Sequence, residues 1–367
     1  MPSACVTGGN GYLASALIRQ LLEKGYAVNA TVRDPGNDRK VGQLKQMQSL
    51  GTLTIFRADL EEEGSFDEAI NGCDYVFLVA APVKIMSENP EEELIKPATK
   101  GMLNMLKSCV KTKATLKRVI LTSSGAAVSV NKLEGVNLVM DEEAWSDLTF
   151  LTTTKPRTWG YSVSKVLAEK EAIKYAEENE LSLVSVIPAL IVGPAIGSEL
   201  GHSTQLSLSL LSGNEGMIRG LRLMQCLSGS TSIVHVEDLC RAHIFVAEEK
   251  FAVGRYICCA VNTSLPELAC FLRMRYPQHR LTTDCSDLPK ESKVVLSSEK
   301  LIKAGFEFKY NKLEDIYDDI IRSAEAVGFL TPIDNGLTKQ QLCHPNTNST
   351  TPVKTTTNGL TEDQNNE

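Results

Sequence analysis

The feature that most constrains the fold is a glycine-rich turn near the start of the chain. Residues 7–14 read Thr-Gly-Gly-Asn-Gly-Tyr-Leu-Ala and directly follow the apolar run Ala-Cys-Val. Gly8 and Gly11 allow a tight turn and bring backbone amides close to phosphate, and the small Ala14 lets the next helix pack closely on the strand. A helix N-terminus offers unpaired amides and a partial positive charge to a pyrophosphate. We therefore predict a dinucleotide-binding strand–turn–helix unit; the alternative is an ordinary turn.

Strand and helix patterns alternate through the first 190 residues. The β-rich runs contain few polar residues, which suits strands covered on both faces. Amphipathic stretches separate them; in the long one at 91–111, Pro97 predicts a kink or a break. This alternation predicts an α/β fold built on a doubly wound parallel (Rossmann) sheet with right-handed crossovers. The predicted strands of this part are 4–7, 27–32, 53–56, 75–79, 119–122 and 183–187.

The alternation of strand and helix patterns becomes less regular after Pro188, which indicates a second region of the chain. We predict a Rossmann domain over residues 1–190 and a smaller substrate-capping region over 191–330, interwoven with the first. Strands are expected at 233–236 and 255–258. The segment 338–367 is rich in Asn, Thr, Gln and Ser and cannot bury enough apolar surface to offset its ordering entropy, so we predict a disordered tail.

Composition excludes several classes of partner. The formal charge of −7 argues against binding to nucleic acid or to an anionic membrane. No run is apolar enough for long enough to span a bilayer, and no secretory signal is recognisable, so a cytoplasmic protein with reduced thiols is expected. The five histidines show no paired spacing, so no metal site is predicted.

The end of the second predicted strand bears on the choice of cofactor. Enzymes that use NAD usually carry a carboxylate there for the ribose hydroxyl. In this chain Arg33 comes before Asp34, and Arg39 and Lys40 follow. Because a guanidinium binds a 2′-phosphate bidentately, we predict NADPH. A solvated loop of mixed charge is the alternative, which Asp34 keeps open.

A Tyr-x-x-x-Lys step provides the candidate for proton transfer. A helix places Tyr161 and Lys165, four residues apart, on one face. Free tyrosine exchanges its proton near pH ~10, and a neighbouring ammonium favours the tyrosinate. Ser123 and Ser124 end the fifth strand, and alternation lets only one of them face the cleft; we choose Ser124 to orient the substrate oxygen. The alternative is that Tyr161 and Lys165 lie on an ordinary helix surface and have no catalytic role.

Further contacts are predicted at the strand ends. Asp59, after the third strand, either accepts a bond from the adenine amino group or caps the next helix. The predicted cofactor contacts are Thr7, Gly8, Gly11, Tyr12, Leu13, Arg33, Lys40, Asp59, Leu60, Val79, Ala80, Ala81, Tyr161, Lys165, Pro188 and Ile191. Substrate contacts are predicted at Pro82, Val83, Ser124, Leu227 and Ser228, in a mostly apolar cleft.

These residues resemble the extended short-chain dehydrogenase/reductase family, which carries Thr-Gly-x-x-Gly-x-x-Gly/Ala and Tyr-x-x-x-Lys. The resemblance extends to about Leu330. Within it the chain is most similar to the plant dihydroflavonol reductase group, and inside that group to the anthocyanidin reductases, most specifically over 235–248 and 254–260. The resemblance implies NADPH, a Ser124, Tyr161 and Lys165 triad, Arg33 and Lys40 on the 2′-phosphate, and reduction of anthocyanidins to flavan-3-ols by two successive hydride transfers.

The alternative among enzymes is a dihydroflavonol 4-reductase or a related flavonoid ketone reductase, and one other class stays open. Dihydroflavonol 4-reductases place asparagine five residues after the catalytic serine, where this chain has Ser129. Cinnamoyl-CoA reductases carry Lys-Asn-Trp-Tyr-Cys-Tyr where this chain reads Arg-Thr-Trp-Gly-Tyr. The chain also departs from the anthocyanidin reductases, with Ser162 in place of the usual proline and Gly125 in place of the usual alanine. The other class is a non-catalytic NADPH-binding regulatory protein.

Overall fold

The computed structural model describes residues 1–82, 87–132, 134–135, 138–197, 199–279, 281, 283 and 285–332. Its strands in chain order are β1 (Ser3–Val6), β2 (Ala27–Val32), β3 (Leu53–Arg57), β4 (Tyr75–Leu78), β5 (Arg118–Thr122), β6 (Leu138–Met140), β7 (Leu183–Pro188), β8 (Leu190–Val192), β9 (Ile233–His235), β10 (Gly254–Cys258) and β11 (Val294–Leu296). The predicted substrate residue Val83 and the predicted tail lie outside the described residues.

The main sheet has seven parallel strands in the order β10-β7-β5-β4-β1-β2-β3. The chain moves outward from β1 to β3 and then resumes on the other side of β1 with β4, which makes the β1–β4 junction the topological switch point. In open α/β sheets ligands bind in the crevice at such a point. The doubly wound fold predicted from the alternating pattern is confirmed.

The helices that flank the sheets are α1 (Tyr12–Glu23), α2 (Asp38–Met47), α3 (Asp67–Ile70), α4 (Lys96–Lys111), α5 (Leu148–Thr154), α6 (Trp159–Glu178), α7 (His202–Ser207), α8 (Ser209–Ser212), α9 (Glu215–Ser228), α10 (Val236–Glu248), α11 (Leu265–Arg275), α12 (Glu299–Lys303) and α13 (Leu313–Ala326). The predicted break near Pro97 is present: a π-helical turn covers Glu91–Ile95, and Pro97 lies in the first turn of α4.

Two apolar clusters cover the faces of the main sheet. Side chains alternate along each strand, so Phe77 packs with α1 and α10 on one face, whereas Val76 and Leu78 pack with α3 and α4 on the other. This burial on both faces explains the nearly continuous apolar runs of the strands. Among the helices that the structure describes, none combines the length and the apolar character that a bilayer crossing requires.

The C-terminal part builds a third apolar cluster around α11 and α13. It also contains two short parallel pairs, β8 with β9 and β6 with β11. The run 255–258, which the sequence pattern assigned to the capping region, lies in β10 at the edge of the main sheet, paired with β7. The boundary at residue 190 stays a prediction.

Candidate active site

Thr7 ties the glycine turn to the end of β4. Its hydroxyl donates to the Phe77 carbonyl at 3.3 Å and accepts from the amides of Val79 and Ala80, both at 3.0 Å. On the other side, the amide of Gly9 donates to the Thr31 carbonyl at 2.7 Å. The turn is therefore fixed to both strands that neighbour β1, at the switch point of the sheet.

The glycines of the turn meet two different demands. Gly8 has φ +71°, and a Cβ there would lie 3.1 Å from both Cα and Cβ of Ala80. Gly11 donates its amide to the Gly8 carbonyl at 2.8 Å and is the N-cap residue of α1, which has no side-chain cap and no acidic residue in its first turn. The first amides of α1 thus have no intrahelical acceptor and suit an anionic group.

Tyr12 and Leu13 point away from the turn. The Tyr12 hydroxyl donates to the Pro194 carbonyl at 3.0 Å, and its ring packs where a Cβ on Gly201 would lie only 2.8 Å away. Burial raises the pKa of this phenol. The Leu13 side chain is buried in the core beside α10. Leu13 therefore has only its backbone amide to offer to a cofactor.

The loop after β2 exposes three cations. Arg33, Arg39 and Lys40 are exposed, and none of them forms an ion pair with any residue that the structure describes. Asp34 is occupied by its own loop, since its Oδ1 accepts from the Gly36 amide at 3.0 Å. The end of β2 is thus a cationic rim, and the carboxylate of Asp34 within it stabilises a turn.

Asp59 stabilises the turn that follows β3. Its Oδ1 accepts from the Glu61 amide at 3.0 Å, and its carbonyl accepts from the Ser65 hydroxyl at 2.8 Å. It does not cap α3, whose N-cap residue is Phe66. The second carboxylate oxygen of Asp59 has no hydrogen bond within the described chain, and the residue is half-buried.

Helix α6 carries the candidate acid–base pair in its first two turns. Lys165 Nζ lies 5.7 Å from the centroid of the Tyr161 ring, and both residues are half-buried. The helix begins after Thr158, which has φ +71°. Its first turn approaches Pro90 so closely that a Cβ on Gly160 would lie 2.2 Å from the Pro90 Cβ. Tyr161 and Lys165 therefore share one side of a tightly seated helix end.

The two serines after β5 face different surroundings. Ser123 is buried and donates its hydroxyl to Glu169 Oε2 at 2.6 Å. Ser124 is half-buried, and its Oγ accepts from the Ala126 amide at 3.2 Å, which caps the 3₁₀ turn Gly125–Ala127. With Ser123 committed to the interior, Ser124 is the serine left with a partly accessible hydroxyl.

A small cavity joins the ends of β4 and β5 to α6. It is lined by predicted contacts from three segments, namely Leu60, Ala80, Ala81, Pro82 and Lys165, together with Ser123 and Glu169. Tyr161 and Ser124 do not line it. Of the other predicted contacts, Pro188 ends β7, and Ile191 lies in β8 opposite Val234.

Of the predicted substrate walls, Leu227 lies in an apolar cluster with Val130, Leu151 and Val163, the last of which is on α6. Ser228 has its Oγ 2.7 Å from the Met224 carbonyl and 2.9 Å from the Ser230 carbonyl, so it closes the end of α9. Leu227 therefore packs against the cluster that contains Val163, which follows Tyr161 by two residues on α6.

Comparison with known proteins shows which family the chain belongs to. The family model described as "NAD dependent epimerase/dehydratase family" matches residues 4–259. The chain belongs to this family. It is 56% identical over 328 residues to an anthocyanidin reductase ((2S)-flavan-3-ol-forming) of Vitis vinifera, covering 89% of this chain and 96% of that protein. It is 44% identical over 330 residues to a dihydroflavonol 4-reductase of Arabidopsis thaliana, covering 89% and 84%.

A solved structure agrees in fold. Vestitone reductase from alfalfa superposes with a TM-score of 0.77 at 36% identity, covering 90% of this chain and all of that one. The prediction of an extended short-chain dehydrogenase/reductase, an oxidoreductase with a nicotinamide cofactor, is therefore confirmed. The roles of individual residues stay predictions.

One charged residue that lines the cavity, Glu169, was not predicted from the sequence. Glu169 lies one helical turn after Lys165 and is buried against Arg255 of β10. The available signal was a charged residue among the buried neighbours Val166, Ala168 and Ala172 of α6, but its partner is 86 residues away. A contact over that distance in sequence requires the fold to be known.

Proposed function

We propose that the protein is an NADPH-dependent reductase that converts anthocyanidins into flavan-3-ols by two successive hydride transfers. The pairing of Tyr161 with Lys165 carries this proposal, because Lys165 lines the same cavity as Ala80 and Ala81 after β4. It supplies an acid–base group beside a nucleotide crevice. The likeness to proteins named as anthocyanidin reductases, at 56% and 52% identity, supports the substrate class.

The glycine turn fits a dinucleotide cofactor. A Cβ at Gly8 would fill the approach to Ala80, and the uncapped start of α1 suits a pyrophosphate. When bound, the reduced nicotinamide supplies the hydride. Arg33 and Lys40 would hold the 2′-phosphate that distinguishes NADPH from NADH, because both cations are exposed and unpaired within the described chain. Asp34, the carboxylate that would favour NADH by binding a ribose hydroxyl, accepts from the Gly36 amide through Oδ1.

We assign the acid–base chemistry to two residues of α6 and to a serine that follows β5. An anthocyanidin is already a flavylium cation, so it accepts the first hydride without prior protonation. Two hydrides and one proton convert the cation into a neutral flavan-3-ol. Tyr161 would carry the proton transfers at a ring hydroxyl, Lys165 would stabilise the tyrosinate, and Ser124 would orient the substrate oxygen.

A dihydroflavonol 4-reductase is the second candidate, on the strength of 44% identity. Members of that group resemble this chain but use an asparagine at the position of Ser129 to hold catechol hydroxyls. Ser129 is buried, and its hydroxyl donates to the Gly125 carbonyl at 2.9 Å. The hydroxyl hydrogen of Ser129 is thus already used within the chain, and the asparagine of the 4-reductases is replaced by this short side chain.

Anaerobic turnover separates the candidates. The purified protein is given NADPH with cyanidin or with dihydroquercetin, and NADPH consumption is followed. We expect consumption with cyanidin and none with dihydroquercetin. Consumption with dihydroquercetin alone would favour the 4-reductase, and consumption with neither would favour a non-catalytic NADPH-binding protein. A cytoplasmic location stays a prediction.

A further inference from the structure

A buried carboxylate lies directly behind the proposed acid–base pair. Tyr161, Lys165 and Glu169 are spaced four residues apart on α6, so they share one side of the helix. The Glu169 side chain is 1% exposed, and it lines the same cavity as Lys165 and Ser123. Charged side chains are almost never fully buried unless they are paired.

The partner of Glu169 is Arg255 at the edge of the main sheet. Arg255 donates from Nε to Glu169 Oε1 at 3.0 Å and from an NH₂ group to Oε2 at 3.3 Å. Its remaining guanidinium nitrogen donates to the carbonyls of Glu142 and Ala144, each at 2.7 Å, and its guanidinium stacks 3.6 Å above the Trp145 ring. The guanidinium is therefore held rigidly from several sides.

The third member of this network fixes the end of β5. Ser123 donates to Glu169 Oε2 at 2.6 Å, and its amide donates to the Val186 carbonyl at 2.8 Å. Ser124 is the next residue. A single carboxylate thus connects the helix that carries Lys165, the strand end that carries Ser124, and the edge strand β10.

Energetics argue that this network serves more than stability. Desolvating two charges costs several kcal/mol per ion, so a well-packed apolar pair often stabilises a fold as much as a buried ion pair does. What the pair adds is geometry: a bidentate guanidinium–carboxylate contact admits only a narrow range of positions. Catalytic groups lose rate steeply when misplaced, by as much as 10²-fold for about 1 Å.

We propose that Glu169 is a positioning residue that, together with Arg255 and Ser123, holds Lys165 and Ser124 in register across the active-site crevice. This proposal rests on the proposed function, because it assigns the geometry of that site. Glu169 does not touch substrate in this account; it acts through the helix turn that bears Lys165 and through the hydroxyl of Ser123.

The test compares two buried carboxylates. Glu169→Gln keeps the volume of the side chain and removes its charge. Asp238→Asn is the matched control: Asp238 is also fully buried and paired with an arginine, Arg241, but it lies on α10 and also accepts from the amides of Lys309 and Tyr310. Both variants are expected to lose thermal stability, because each leaves a buried arginine without its charged partner. Turnover is measured at saturating NADPH and well below the melting temperature, so that only folded enzyme is compared.

For Glu169→Gln we expect kcat with cyanidin to fall about 10- to 100-fold, with the NADPH dissociation constant within about twofold of the wild type. Asp238→Asn should retain kcat. A normal kcat for folded Glu169→Gln, or an equal loss in both variants, would overturn the proposal. If Glu169→Gln does not fold, Ser123→Ala removes only the hydroxyl contact and should still lower kcat severalfold; an unchanged kcat there overturns the proposal as well.

Crystal structures of the NADPH complexes of wild type and Glu169→Gln provide a readout that does not depend on the substrate. We expect the Lys165 Nζ to Ser124 Oγ distance to change by about 1 Å or more, the scale at which rate is lost. A wild type that is inactive on cyanidin, combined with such a displacement, would refute the substrate assignment and leave the positioning role intact. An unchanged distance would refute the positioning role.

Discussion

Lys165 Nζ lies 5.7 Å from the centroid of the Tyr161 ring, one turn further along α6. Helix α6 thus places the ammonium of Lys165 beside the ring of the residue proposed to transfer the proton. The two residues lie on a helix whose start is seated against Pro90 and whose next turn is anchored by Glu169. The proposed chemistry depends on this pair being presented rigidly to the nucleotide crevice.

Loss of the Tyr161 hydroxyl should remove turnover and spare cofactor binding. For Tyr161→Phe we expect kcat to fall by about 10²-fold or more, because general acid–base catalysis contributes on that scale. The NADPH dissociation constant, measured by fluorescence titration, should change little. A near-normal rate would show that another group transfers the proton.

The exposed cations after β2 should decide between the two nicotinamide cofactors. Arg33→Ala is expected to raise the Michaelis constant for NADPH by about tenfold or more, since a charge-assisted contact to phosphate is lost, and to leave that for NADH nearly unchanged. Lys45→Ala is a suitable control, because Lys45 is an exposed cation of α2 that pairs with Asp38. Equal changes for both cofactors in Arg33→Ala would contradict the NADPH assignment.

The glycine turn should tolerate no side chain at residue 8. Gly8→Ala places a Cβ 3.1 Å from the Ala80 backbone at φ +71°, so we expect a loss of about 1–3 kcal/mol in stability and weaker NADPH binding. Gly42→Ala is the control: it lies inside α2, where a Cβ meets nothing within 4 Å, and should stabilise by about 0.5–1 kcal/mol. Chemical unfolding with and without NADPH measures both. Normal NADPH affinity in Gly8→Ala would rule out the close approach inferred for the turn.

A buried histidine should make stability fall in mild acid. Burial lowers the pKa of His243 from its usual 6.5 to about 4; its Nδ1 lies 2.8 Å from the Leu239 carbonyl and its Nε2 2.8 Å from Thr122 Oγ1. Between pH 4 and pH 6.5 the unfolded chain therefore binds a proton at His243 more readily than the folded chain does. The contribution of His243 to the unfolding free energy is fully present above about pH 6.5 and is lost as the pH falls toward 4. The loss attributable to this residue is on the order of 3 kcal/mol.

Urea unfolding at several pH values between 4 and 7 measures this loss, with His243→Gln as the comparison. The variant should show a shallower dependence of unfolding free energy on pH than the wild type does. Parallel curves for the two proteins would assign the acid sensitivity to other groups.

The elements of the main sheet were accessible from sequence because strands buried on both faces carry unbroken apolar runs. The strand 27–32 was predicted with the boundaries that the structure has. Helix α9 was not predicted: Gly216 and Gly220 interrupt it, and only Ile218, Leu221 and Gln225 are buried, which leaves a weak period. Its existence matters, since Leu227 and Ser228 lie at its end.

The same contrast holds within the site. The choice of Ser124 over Ser123 rested on alternation along a strand. Ser123 is buried against Glu169, and the role of Ser124 stays a prediction. The Glu169–Arg255 pair escaped prediction because no local pattern connects residues 86 apart. Local periodicity determines which face a side chain takes, whereas partners across the sheet depend on the order of its strands.

The decisive measurement for the proposed reduction by two hydride transfers is the number of NADPH molecules oxidised for each cyanidin. Limiting cyanidin is incubated anaerobically with excess NADPH, and the NADPH consumed is compared with the flavan-3-ol formed, resolved by chiral chromatography. We expect two NADPH to be oxidised for each cyanidin lost, with a flavan-3-ol as the product. One NADPH per cyanidin, a product that is not a flavan-3-ol, or no consumption at all would contradict the proposed reduction.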